Sequence, residues 1–221
     1  MSNFDDASPL AQKAFMRAPA GEHLQVAQDF CELINPGIRA QHVPVRPAVD
    51  AVELECFWNV RREVERGHGR IAYGWAIWIW PGISIEAHHH AVLDGDEGLI
   101  DVTPWTPPCD QILFLPQPNL PYDFEERSRV SHVRAALSRT PLVREWLGAA
   151  DTIDQILEHH SEGDRHVMPE RVFMEVQRLG RMKDAMRLAI AKTQVSQASR
   201  NGPCPCGSGR KTKHCCLPAV R

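Results

Sequence analysis

Residues 71–93 read IAYGWAIWIWPGISIEAHHHAVL, and this stretch decides the fold class. Ile71 to Trp80 is rich in β-branched and aromatic residues, Pro81-Gly82 is a turn signal, and Ile83 to Leu93 resumes the β-prone character. The apolar run is broken by Gly74, Pro81 and Gly82, so it lacks the ~20 consecutive apolar residues of a membrane-spanning helix. Working outward, Asp94-Gly95-Asp96 predicts a second turn, Leu99 to Thr103 a third strand and Ile112 to Leu115 a fourth. The expected arrangement is an antiparallel meander.

Helical patterns flank this block. Leu24, Ala27, Cys31 and Ile34 recur at helical spacing before the Asn35-Pro36-Gly37 stop, and Val49, Val52, Cys56, Val60 and Val64 share a face in a run that Gly67 ends. Asp50-x-x-Glu53 predicts a cap for that second helix, which would put Cys56 in its second turn. From about Glu125 the pattern returns to helices, with starts at Thr140-Pro141 and Asp151 and a long helix after Pro169. The polar stretch Thr193 to Asn201 predicts a linker. The fold expected is α+β: a domain over 1–125 with a β-meander and flanking helices, a helical region and linker over 126–199, and a small module over 200–221.

The chain has 221 residues, 43% hydrophobic and 24% charged, too well mixed for disorder. An acidic start, MSNFDDASPL, without a basic and apolar leader pattern, predicts a cytoplasmic protein. Charge is unevenly spread. No Asp or Glu follows Asp184, so the tail carries +7 and the remainder −10, which suits a tail that meets acidic partners. On the helices, Arg171, Arg178, Arg181 and Lys183 alternate with Glu170, Glu175 and Asp184, as a solvated face would, and direct nucleic-acid binding is not expected.

Four of the seven cysteines, Cys204, Cys206, Cys215 and Cys216, fall within thirteen residues. A Cys-x-Cys pair, eight spacers and two adjacent thiols suffice to close a tetrahedral site, and zinc is the expected metal. Four thiolates leave no open position for water, so one structural Zn²⁺ is predicted, whose binding would supply most of the folding free energy of so short a module. Gly207 and Gly209 allow the backbone to turn sharply around it.

Asn201, Pro203, Cys204, Cys206, Gly207, Ser208, Gly209, Lys211, Cys215 and Cys216 all fall on a known pattern. Residues 201–217 resemble the SEC-C motif, the zinc-binding module at the C-terminus of the SecA preprotein translocase ATPase. The resemblance implies that Cys216 takes the place of the last ligand, with His214 beside the metal or exposed. It also implies a docking module, since in SecA the motif is associated with the chaperone SecB and with ribosomes. The SecA motor is absent, because the chain contains no G-x-x-x-x-G-K-[ST].

Cys56 on a helix, His90 on a strand and Asp101 on the next strand form a candidate nucleophile, base and orienting carboxylate. A turn centred on Gly95-Asp96 would pair His90 with Asp101 and Val92 with Leu99, placing both side chains on one face. Cys56-Phe57-Trp58 and the segment His90 to Pro104 resemble the nucleophile neighbourhood and the His and Asp strands of the transglutaminase-like and papain-like cysteine hydrolases. That resemblance implies attack on an amide or thioester. Asn59 stands one turn beyond Cys56, to orient substrate or to face solvent, and the sequence names no oxyanion donor.

The competing reading makes Cys56 a core residue, His90 a hydrogen-bonded strand histidine and Asp101 a turn-flanking carboxylate. A third lets His88 and His90, on one strand face, share a metal. Trp75, Trp78, Trp80 and Tyr73 are core residues or the lining of a groove, and His159, His160 and His166 belong to a polar, solvated region. Two functions therefore stand open. One is a zinc-binding adaptor whose C-terminal module docks to an acidic chaperone surface or the ribosome and presents the N-terminal domain. The other is a cysteine hydrolase or acyl transferase.

Overall fold

The computed structural model describes residues 10, 15–127, 130–162 and 165–220. Its centre is a six-stranded antiparallel sheet ordered β1-β5-β2-β3-β4, with β6 also paired to β3. The strands are β1 (Gln41–Pro44), β2 (Arg70–Trp80), β3 (Ser84–Gly95), β4 (Gly98–Ile100), β5 (Gln111–Pro116) and β6 (Val133–Ala136). The helices are α1 (Leu24–Ile34), α2 (Cys56–Glu65), α3 (Pro141–His159) and α4 (Glu170–Gln197). The expected α+β class is thus observed.

The 71–93 stretch forms the long β2–β3 hairpin, paired without interruption from Arg70↔Asp94 to Trp80↔Ser84. Three strands, β2, β3 and β4, run as the predicted meander. β5 then departs from it by crossing back to the far edge of β2, with Ala76 opposite Phe114. Gly74 permits this approach, since a Cβ there would lie 2.2 Å from the Leu115 carbonyl oxygen. Period-two alternation gives each face of the sheet its own core. α1 lays Ala27, Phe30 and Cys31 on Trp75, Ile77, Ile79, Leu113 and Leu115, and Val60 of α2 packs on Ala91, Leu93 and Val102. Ala76, Val92, Ile112 and Phe114 fill the opposite face.

Several expectations are corrected. α2 begins at Cys56; Val49 and Val52 lie exposed in the loop before it, and no Asp50-Glu53 cap forms. The β3–β4 register is Leu93↔Ile100 and Asp94↔Leu99, two residues away from the predicted pairing. A shift of two preserves the face, so His90 and Asp101 still meet. Residues 133–136, read as helical, form β6, whose Arg134 lies opposite Glu86. The supposed linker from Thr193 is the last turn of α4, where Val195 is buried.

α4 therefore carries the C-terminal module straight into the body of the protein. Phe15, Trp80, Val143, Trp146, Leu147, Ile190, Ala191 and Val195 share one core with Cys204 and Cys216. Trp80 stacks on Phe15 and meets Trp146 edge-on, with ring centroids at 5.1 and 5.5 Å.

Candidate functional site

The C-terminal cluster is built by local backbone geometry. The Cys204 amide donates to the Arg210 carbonyl at 2.8 Å and that of Gly207 to Cys204 at 3.0 Å. Gly207 and Gly209 take φ of 78° and 71°, the left-handed region where a side chain is costly. This brings the sulfurs of Cys204, Cys206, Cys215 and Cys216 within 4.8 Å of one another, with Cys206 and Cys215 3.6 Å apart. An all-thiolate set with those separations fits a closed tetrahedral metal site. His214 is exposed and stands outside it.

The second constellation lies where β3 loses its outer neighbour. β6 covers that edge over Ser84–Ala87 and β4 over Leu93–Gly95, and among the described residues 88–92 have no strand partner on that side. A cavity of about 960 Å³ opens there, lined by Cys56, His88, His89, His90, Thr103, Trp105 and Tyr122 among others. Cys56 is the first residue of α2, in the turn where the helix dipole favours negative charge and the amides lack intrahelical acceptors. It stands at the helix start rather than one turn in, beside the first-turn amides.

His90 and Asp101 are both buried, with Nε2 3.1 Å from Asp101 Oδ2. Asp101 also accepts from the Thr103 amide at 2.9 Å and the Trp105 indole at 2.7 Å, which fixes both of its oxygens. Burial alone would lower the His90 pKa, but the Asp101 carboxylate and the charge of Cys56 outweigh it and raise it to about 10. Asp101 engages Nε2, so Nδ1 is the second ring nitrogen.

Asn59 neither faces solvent nor enters the cavity. Its side chain accepts from the Val52 amide at 2.9 Å and donates to the Val52 carbonyl at 2.8 Å and to Thr103 Oγ1 at 3.1 Å. It thereby ties the loop before Cys56 to the strand end that holds Asp101. His89, on the other face of β3, is bonded to the Leu120 carbonyl, and burial lowers its pKa.

Of the two readings of the aromatic strand, the core one holds for Trp75 and Trp80, while the indoles that line the cavity are those of Trp58 and Trp105. Trp78 packs on Trp105 at 4.7 Å. Trp105 follows Asp101 by four residues, and Tyr122 arrives on the long β5–β6 connection to stack on Phe57 at 4.2 Å. Neither carried a periodic signal. Although both line the cavity, His88 does not group with His90 as a metal ligand; its ligand neighbours are Glu86 and His132. His159 is exposed, as expected, while the side chain of His166 lies outside the described residues.

These geometries define a small four-cysteine metal module joined to an α+β domain with a Cys-His-Asp cavity. The SEC-C motif family matches residues 200–218, so the four-cysteine module is a SEC-C motif. A SecA translocase subunit from Caldicellulosiruptor saccharolyticus is 31% identical over 94 residues, covering 38% of this chain and 11% of the relative. One from Dichelobacter nodosus is 59% identical over 27 residues, 12% of this chain and 3% of the relative. The chain thus spans at most about a ninth of the length of these relatives. No solved structure matches it significantly. Among the described residues, no helix is long and apolar enough to cross a membrane.

Proposed function

We propose that this protein is a cysteine hydrolase or acyl transferase with Cys56 as nucleophile, His90 as general acid and base, and Asp101 as the orienting carboxylate. The observation that carries the reading is the buried, hydrogen-bonded His90–Asp101 pair together with a cysteine at a helix N-terminus, all three brought to one open cavity. A core cysteine beside an incidental histidine would need neither the cavity nor the three donors that fix Asp101.

In this reading the Cys56 thiolate attacks the carbonyl carbon of an amide or thioester and forms a carbon–sulfur bond. The amides of the first turn of α2 receive the oxyanion. His90 passes its proton to the departing amine or thiol as the bond to the leaving group breaks. Water, or an acceptor nucleophile, then attacks the thioester while His90 takes its proton, and the Cys56 thiolate is released. Asp101 stays ionised throughout and keeps Nδ1 of His90 aimed at the sulfur.

The SEC-C module supports an accompanying docking role. In this assignment Cys204, Cys206, Cys215 and Cys216 hold one structural Zn²⁺, and the basic tail brings the enzyme to an acidic protein surface, such as a chaperone or the ribosome, in the cytoplasm. Arg200, Lys213, Leu217 and Pro218 line a shallow groove on the module suited to that contact. Ribosome co-sedimentation of the full chain should weaken in the double variant R200E/K213E; equal sedimentation would remove the docking role.

The enzyme reading is tested by iodoacetamide labelling of the metal-loaded protein at mildly acidic pH. Cys31 and Cys109 serve as internal controls, because burial pushes their pKa values up to about 12 and about 11. Cys56 should be alkylated first, and His90→Ala should abolish that preference. Equal labelling of Cys56 with and without His90 would defeat the proposal.

A further inference from the structure

The cavity has a second set of donors that the thiol chemistry does not use. His88 and His132 both line it, and their rings stack at 3.9 Å with an interplanar angle of 12°. Glu86, two residues before His88 on the same face of β3, places a carboxylate oxygen 3.3 Å from His88 Nε2. One ligand atom from each of Glu86, His88 and His132 lies within 4.8 Å of the other two.

We propose that Glu86, His88 and His132 bind a divalent transition-metal ion of the zinc, cobalt or nickel type, at a site separate from the four cysteines. Two imidazoles and one carboxylate are the donor set such ions prefer, and alkaline-earth ions, which select oxygen ligands, would not favour it. At metal–ligand distances of about 2.0–2.2 Å, ligand atoms sit about 3–3.5 Å apart, so the three need close in by at most about 1.5 Å, with the stacked rings turning until their in-plane lone pairs converge. Three protein ligands leave further coordination positions, and these open onto the cavity.

Arg134 is the competitor for these donors. Its Nε meets Glu86 at 3.3 Å and one Nη donates to His132 Nδ1 at 2.9 Å. Its shorter carboxylate bonds, at 2.8 Å, run to Asp151 and Asp154 on α3. A metal takes over Glu86 and His132 while the guanidinium stays anchored by the two aspartates. Those carboxylates lie against Arg134 and temper its repulsion of a second cation. The proposal is independent of the role given to Cys56.

The test is a Co²⁺ titration of the untagged full chain, starting from protein whose four cysteines are already loaded with one zinc equivalent. A further equivalent should bind, giving visible d–d bands without thiolate-to-cobalt charge transfer. His88→Ala and His132→Ala, checked for unchanged near-ultraviolet circular dichroism, should each weaken that equivalent about tenfold or more while the zinc stays bound. His159→Ala, on an exposed helix end, should leave it intact. A wild-type protein that takes up no second equivalent would overturn the site, as would one whose second equivalent survives both substitutions.

Discussion

Asn59→Ala removes a side chain that touches neither sulfur nor imidazole, yet it should loosen both. Asn59 is 1% exposed and makes three hydrogen bonds that join Val52 to Thr103. A hydrogen bond of this kind is worth about 1 kcal/mol net, so the loss is about 3 kcal/mol. The bond it accepts from Arg62 is left out of that sum, because Arg62 keeps Asp50 as a partner. Water can recover part of the loss at Val52, which is half exposed, but not at Thr103, which is 2% exposed. Asn59→Asp keeps the volume and the bond from the Val52 amide, but turns an oxygen toward the Val52 carbonyl, at a cost of about 1–2 kcal/mol. Urea unfolding followed by tryptophan emission gives both values. An Asn59→Ala protein within about 0.5 kcal/mol of wild type would refute the view that this residue braces the site.

Two further outcomes follow from the same structure. His90, raised from 6.5 to about 10, contributes stability that is full below about pH 6.5 and is lost as pH rises through about 10. Asp101→Asn should flatten that decline in melting temperature between pH 6.5 and 10, and an unchanged slope would count against the pair as its source. Stripping metal from the four cysteines should shift the emission of Trp80 and Trp146 to longer wavelength and lower the melting temperature, because Cys204 and Cys216 pack in the core with both indoles. Metal loss with unaltered tryptophan emission would contradict that coupling.

The legible parts of this chain are those encoded by short-range pattern. The β2–β3 hairpin announces itself through its aromatic and β-branched run and Pro81-Gly82, and the metal module through cysteine spacing. The His90–Asp101 pairing was readable for a related reason: strand alternation forgives a register error of two, though not of one. What stayed hidden depends on long-range closure. β5 returns to β2 because a glycine at 74 admits its backbone. Arg134 looked helical because its partners, Glu86, Asp151 and Asp154, come from two other elements. The start of α2 is hidden because Val49 and Val52 extend the apolar period into a loop, and only the backbone reveals that Cys56 is its first residue.

The core shared by Trp80, Trp146, Cys204 and Cys216 bears on how the C-terminal module may be manipulated. It is not a detachable cassette. Truncation at residue 200 would strip one wall from the host, so a lost interaction in such a deletion would report collapse as readily as a missing contact. Grafting the module onto another carrier would likewise leave Cys204 and Cys216 without the apolar core they share here. Charge reversal on its outward groove, at Arg200 and Lys213, is the surgery this architecture tolerates.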